Sequence, residues 1–143
     1  MRFEYVNISF DDLRGELLSD YLVAVDADLA ITDDGREIYV EPYFPVVELA
    51  RQLAGWVTSG HRADFVFDSL SSDVAGLVTI ASEAGGWVVF SALAPHVRSA
   101  PVSTADLDRC VGDFLEAVRQ DLTARGRDAA RIVDLGVAPR RPE

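Results

Sequence analysis

The sequence predicts an α+β domain built on a mainly antiparallel, curved sheet of about six strands, with two helices packed on one face. Three observations carry this expectation. Short runs with period-two apolar alternation are separated by turn residues. Two longer runs repeat apolar residues at three- and four-residue spacing. Their order along the chain is strand, hairpin, helix, three-stranded meander, helix. A chain of 143 residues, 49% of them hydrophobic, is one domain's worth of material; near this length roughly 70% of the unfolded surface can be buried without staples. The expected boundaries are a single domain over residues 1–125 and an Arg- and Pro-containing tail over 126–143, partly flexible.

Each element follows from local pattern. Phe3, Tyr5 and Ile8 alternate with polar residues as a first strand, which ends at Asp11-Asp12; Leu13 to Leu18 reads as a turn or helical loop. From Tyr21 to Thr32 the alternation places Tyr21, Val23, Val25, Ala27, Leu29 and Ile31 on one face and Asp26 and Asp28 on the other. Asp33-Asp34-Gly35 is a hairpin turn, since glycine accepts positive φ, and Glu37 to Glu41 returns antiparallel until Pro42 ends it. Pro45 opens a helix over Val46 to Val57, whose stripe is Val46, Leu49, Ala50, Leu53, Trp56 and Val57, with Gly60 as its cap. A parallel contact across this helix is an available addition. Asp64–Ser69, Gly76–Ser82 and Trp87–Leu93 form the meander, with Ala84-Gly85-Gly86 as the stronger turn. Ser103-Thr104-Ala105-Asp106 then caps a helix to about Ala124 that buries Leu107, Cys110, Val111, Phe114, Val118 and Leu122; Gly126 stops it. A short apolar element is expected at Ile132 to Val137.

Composition excludes several chemistries. The chain has no lysine, one cysteine and two histidines, so a Schiff-base lysine, a Walker-type phosphate loop, a cysteine zinc cluster and an internal disulfide are all ruled out. A net charge of −11 repels phosphate backbones and anionic lipid heads, so neither nucleic acid nor membrane is expected as a partner. No export signal or apolar span appears, and the expected location is cytoplasmic. The charge is also polarised. Met1 to Glu41 holds eleven acids against three arginines, whereas Leu122 to Glu143 holds five arginines against three acids.

No catalytic group stands out. Asp26 and Asp28 are about 6.6 Å apart along one strand face, but a face shared with alanines and a threonine is expected to look at solvent, without the burial that would raise one of the two pKa values. Asp64 and Asp68 lie about 13 Å apart, too far for one proton-transfer site. His61 and His96 fall in loops outside any local motif, and Cys110 sits on a buried helical stripe as a small hydrophobe. Trp56 and Trp87 read as core. No cofactor and no metal site is expected, and the chain is not expected to be an enzyme.

What remains is an acidic hairpin. Asp26, Asp28, Asp33, Asp34, Glu37 and Glu41 face Arg36 alone, next to the aromatic residues Tyr39, Tyr43 and Phe44 on a proline-bearing loop. Its plain reading is a solvated face; its functional reading is a patch that steers onto a basic protein, with Tyr39 and Tyr43 as anchors. The expected partner-binding set is therefore Asp26, Asp28, Asp33, Asp34, Glu37, Tyr39, Glu41 and Tyr43.

The run Pro45-Val46-Val47-Glu48-Leu49-Ala50-Arg51-Gln52-Leu53 with Trp56, then Asp64-Phe65-Val66-Phe67-Asp68-Ser69, then Gly86-Trp87 with Ser91, resembles an uncharacterised small-domain family of actinobacteria over about residues 1–125. Its small, acidic character is similar to that of immunity proteins of polymorphic toxin systems. The small-domain family implies no activity, and it is the acidic, motif-poor character, by this likeness of class, that leads to the expectation of a non-enzymatic protein-binding domain, an immunity protein that neutralises a cognate, basic toxin through its acidic surface. Two other classes remain open: a small-molecule-binding domain or enzyme with a pocket near the Tyr43-Phe44 loop, and a homo-oligomeric structural module.

Overall fold

The computed structural model describes residues 1–59 and 62–134. Gly60, the expected helix cap, and His61 lie outside the described residues, as does 135–143 with Val137. The elements in chain order are β1 (Arg2–Ser9), α1 (Leu18–Ala24), β2 (Asp26–Asp33), β3 (Arg36–Phe44), α2 (Val46–Val57), β4 (Phe65–Val66), β5 (Thr79–Glu83), β6 (Gly86–Phe90), α3 (Thr104–Ala124) and a π-helical turn (Ala130–Asp134).

The α+β class and the antiparallel pairing are present, but the single six-stranded sheet is not. The strands form two separate three-stranded sheets, ordered β1-β2-β3 and β4-β5-β6. Two local features keep them apart. On β3, Pro42 has no N–H and Tyr43 sits at φ 55, where the β2–β3 register shifts, so the ladder cannot extend outward there. On β6, the free edge is already used: Ser99 N–H donates to the Val89 carbonyl at 3.0 Å, and Trp87 and Val102 exchange bonds of 2.9 Å. The two sheets still meet through side chains, with the Phe44 and Phe67 rings 5.3 Å apart. Among the described residues no parallel strand pair appears.

The two long helices are where periodicity put them. α3 starts on Ser103, whose hydroxyl accepts the Asp106 N–H at 3.1 Å, and Gly126, at φ 70, follows its end. α2 and α3 lie under both sheets. Phe114 of α3 meets Phe3 and Tyr5 of β1 edge-on at 6.3 and 5.8 Å, and Trp56 of α2 meets Phe65 and Trp87 at 5.7 and 5.3 Å. Arg62 holds the loop after α2 onto α3 with two bonds to Asp108, at 2.5 and 2.9 Å, while stacking on Trp56.

One strand expectation is overturned. Leu18–Ala24 is helical, so β2 starts only at Asp26, and Val23, expected inward, is exposed. The same letters carry both periods: Tyr21 and Val25 are buried one helical turn apart, and Asp20 in the first turn accepts the Leu17 N–H at 3.0 Å. Tertiary contacts choose between them. Tyr21 is buried with its ring flanked by the guanidinium groups of Arg127 and Arg131 at 5.8 and 5.9 Å. β3 likewise runs through Pro42 to Phe44, a position that an edge strand at a bulge tolerates.

The arginines after α3 close over the acidic N-terminal third. Arg125 stacks on Phe10 at 4.6 Å, and Arg131 donates to the Glu16 carbonyl at 3.2 Å. Ile132 and Val133, part of the expected apolar element, are fully buried. Arg119 grips Asp134 through two bonds of 2.7 and 3.0 Å, so the packed unit runs to Asp134.

Candidate functional site

The expected acidic hairpin forms, and its turn has Asp34 at φ 51 and Gly35 at φ 76, the pair of positive values that a type I′ turn requires. The fold nevertheless divides its side chains. Asp26 and Asp33 stand at opposite ends of β2, about 23 Å apart at ~3.3 Å per residue. Asp33 is held by the Ala100 N–H at 2.7 Å. Tyr39 is buried with its ring edge-on to Phe44 at 6.0 Å, so it belongs to the core and not to the exposed face. Glu41 pairs across from the inward Leu29, and burial first, then the Glu41 charge, push the Tyr39 phenol far above its usual range.

The remaining residues converge with others that sequence reasoning did not select. The outer face of the β1-β2-β3 sheet carries Val6 beside Asp28, and Glu4 and Val40 on either side of Ala30. Val6 is 63% exposed, Val40 48% and Tyr43 79%. Glu37 lies beyond Val40 on the same face, opposite Thr32. Tyr43 has a left-handed backbone, which for a bulky residue costs on the order of 1–2 kcal/mol, and its N–H reaches the Asp28 carboxylate at 3.4 Å. The result is an apolar strip over three strands, framed by carboxylates and ended by a tyrosine ring.

At that end lies a concavity of about 420 Å³ lined by Asp11, Asp12, Asp26, Asp28, Ser9 and Tyr43. Four carboxylates meet there because Asn7, at φ 58, makes a bulge in β1 that turns the following chain back over the start of β2. Asn7 donates to Asp28 at 2.9 Å. Among the described residues, none of the four carboxylates is ion-paired within 4 Å. This concavity adjoins Tyr43, but its walls suit a cation rather than an apolar ligand, and Phe44 is buried. Among the described residues no three His, Cys, Asp or Glu are placed to hold a metal ion.

Crowding these acids has a cost. Burial first, then the charges of Asp12, Asp28 and Asp11, raise the Asp26 pKa. A carboxyl whose pKa rises on folding favours the fold only when protonated, so its ionisation at neutral pH costs stability that returns as pH falls through the folded pKa. Asp26→Asn should therefore stabilise the protein at about pH 7 by a few tenths to about 1 kcal/mol, the solvent-screened range. At about pH 2.5, where both states are protonated, it should give no gain. Thermal melts at the two pH values check this, and an equal gain at both would reject it.

The other residues considered lie elsewhere in the fold. Cys110 is buried on α3, where desolvation raises its thiol pKa above the usual range and leaves it poorly reactive. Asp64 accepts the Ser82 N–H at 3.0 Å, and His96 is exposed in the loop after β6. Among the described residues no helix is long and apolar enough to cross a membrane. Val40 was missed because the bulge at Ile38 decides which face it takes, and a period-two count cannot see a bulge; Val6 faces outward by alternation with Phe3 and Tyr5 but carries no charge to mark it. Asp11 and Asp12 left a signal only as a charged pair after a strand.

No curated protein and no solved structure matches the chain. A family model described as a domain of unknown function, DUF7878, matches residues 1–124, from β1 to the end of α3. Spanning both sheets and both long helices as it does, that match means that the chain belongs to the DUF7878 family.

Proposed function

We propose that the chain is a non-enzymatic protein-binding domain that docks a basic partner on the outer face of its first sheet. Its most concrete form is an immunity protein of the kind found in polymorphic toxin systems, which neutralises a cognate toxin by covering its active or substrate surface. The observation that carries this reading is the exposed strip of Val6, Val40 and Tyr43 among Glu4, Asp28 and Glu37. A purely solvated face has no use for two large aliphatic side chains and a strained, exposed tyrosine. An interface uses both parts: the tyrosine and valines give affinity once desolvated, and the carboxylates steer association and select against acidic surfaces. The four-aspartate concavity beside Tyr43 supports the same reading, since it fits an arginine or lysine side chain of the partner.

The test is affinity capture from host lysate at low and high salt, with the retained proteins identified by mass spectrometry and the binding then measured on the purified pair. The expected partner is basic and is released by salt. Tyr43→Ala should weaken it by at least 2 kcal/mol, about thirtyfold, as for a central anchor. Asp12→Arg, Asp26→Arg and Glu37→Arg together should slow association and flatten its salt dependence. If the triple variant, shown to be folded by circular dichroism, binds at the wild-type rate with the wild-type salt dependence, the reading fails.

A further inference from the structure

The geometry points to a second binding site, independent of the sheet face: a cleft of about 370 Å³ between α1, α2 and the loop after β4, which takes a small organic monocarboxylate with an apolar body. Its volume lies in the range typical of small-molecule sites, roughly 300–1,000 Å³.

The polar element is Arg51 of α2. Its Nη1 donates to the main-chain carbonyl of Ile132 at 3.0 Å, and the Arg131 carbonyl lies 3.5 Å away, so the guanidinium plane is fixed from the side of the π-helical turn. Among the described residues no carboxylate pairs with it within 4 Å. Two of the acids around it are already occupied. Glu48 spends its oxygens on the Ser69 hydroxyl at 2.6 Å and the Leu70 N–H at 2.9 Å, and Asp134 spends both of its own on Arg119. A guanidinium has five N–H donors, so Arg51, which lines the cleft, keeps donors beyond those bonds and has no carboxylate bonded to it. Burial pulls its pKa below the usual value, with Asp134 opposing. A carboxylate is the acceptor that matches this fork.

The rest of the cleft sets the ligand's body and charge. Leu22 of α1 and Leu70 of the loop form apolar walls, and Gly55 contributes no side chain to the space between them. Leu70 is 67% exposed, held over the opening by a loop whose ends are tied down at Glu48 and by Gln52, which bonds both main-chain groups of Asp68 at 2.7 and 3.1 Å. The Asp68 carboxylate also lines the cleft and makes no hydrogen bond of its own among the described residues. It disfavours anions in proportion to their charge, and so weighs least against a monocarboxylate and more against a dicarboxylate or a phosphate.

Amide-resolved NMR titration of the whole chain tests this, with 4-methylpentanoate as the probe and its neutral amide, 4-methylpentanamide, and succinate as controls. Saturable shifts at the Leu22, Gly55 and Leu70 amides are expected with the carboxylate, with at least tenfold weaker binding of the amide and of succinate. Arg51→Gln should abolish the carboxylate's advantage. Because that variant also loses the bond to Ile132, Leu70→Ala at the exposed wall provides a second reading, expected to weaken binding several-fold while preserving the preference for carboxylate over amide. Absence of saturable shifts in the wild type at concentrations on the order of 10 mM would overturn the inference. Equal binding of the acid and its amide would do so as well.

Discussion

Replacing Ile132 by alanine is expected to destabilise the protein by about 2–5 kcal/mol, as for other large aliphatic residues removed from a closed core. Ile132 is fully buried, although it lies beyond residue 124, where the family match ends. It sits in a turn that Arg119 and Arg51 fasten to α3 and α2, so the neighbouring helices have little freedom to collapse into the space left. The measurement is urea unfolding, with the midpoint shift read at constant slope. Ile132→Val should cost about 0.5–1.5 kcal/mol, and Leu93→Ala on the exposed loop less than about 0.5 kcal/mol. A midpoint for Ile132→Ala equal to that of Leu93→Ala would mean that the turn does not belong to the cooperative core. A chain cut after Arg125 should lose the same contacts together and melt at a lower temperature, with each kcal/mol worth about 2–4 °C at this size.

Glu48→Ala should cost about 2–4 kcal/mol, because it removes two charge-assisted hydrogen bonds and leaves the Leu70 N–H without an acceptor. Glu48 is only 2% exposed, and among the described residues it has no arginine within 4 Å. The charge is tolerated inside because it stands in the first turn of α2, where the helix dipole favours an anion, and because both of its oxygens are bonded. Glu48→Gln keeps one acceptor and should cost about half as much. Native-state hydrogen exchange separates local from global effects: the Leu70 amide should exchange faster in both variants than amides in the middle of α3. Unchanged exchange at Leu70 would show that the loop after β4 is held by other contacts.

Glu48 also marks where sequence reading stops. On a helical wheel it belongs to the polar side of α2 with Arg51 and Gln52, and the sequence offers no sign that Ser69 and Leu70 will come down to cover it. The three polar residues became a lid anchor, a held guanidinium and a clamp only when a loop sixteen or more residues away arrived on that side of the helix. The acidic face shows the same limit. Six acids in sixteen residues were plain from the letters, but the bulge at Ile38 turned Val40 outward, the bulge at Asn7 brought Asp11 and Asp12 beside Asp26, and Asp33 stayed at the far end of β2.

The sequence by itself determined what local physics can carry: the α+β class, α2 and α3, the two hairpin turns with their positive-φ residues, and the acidic net charge. Tertiary structure alone decided whether Leu18–Ala24 became helix or strand, how the strands split between two sheets, which carboxylates share a surface, and how far the core extends past α3. The physical reason is the range of the forces. Periodicity, capping and turn chemistry act within a few residues, whereas burial of Tyr21 between Arg127 and Arg131, or of Ile132 against α2, exists only after distant parts of the chain have met.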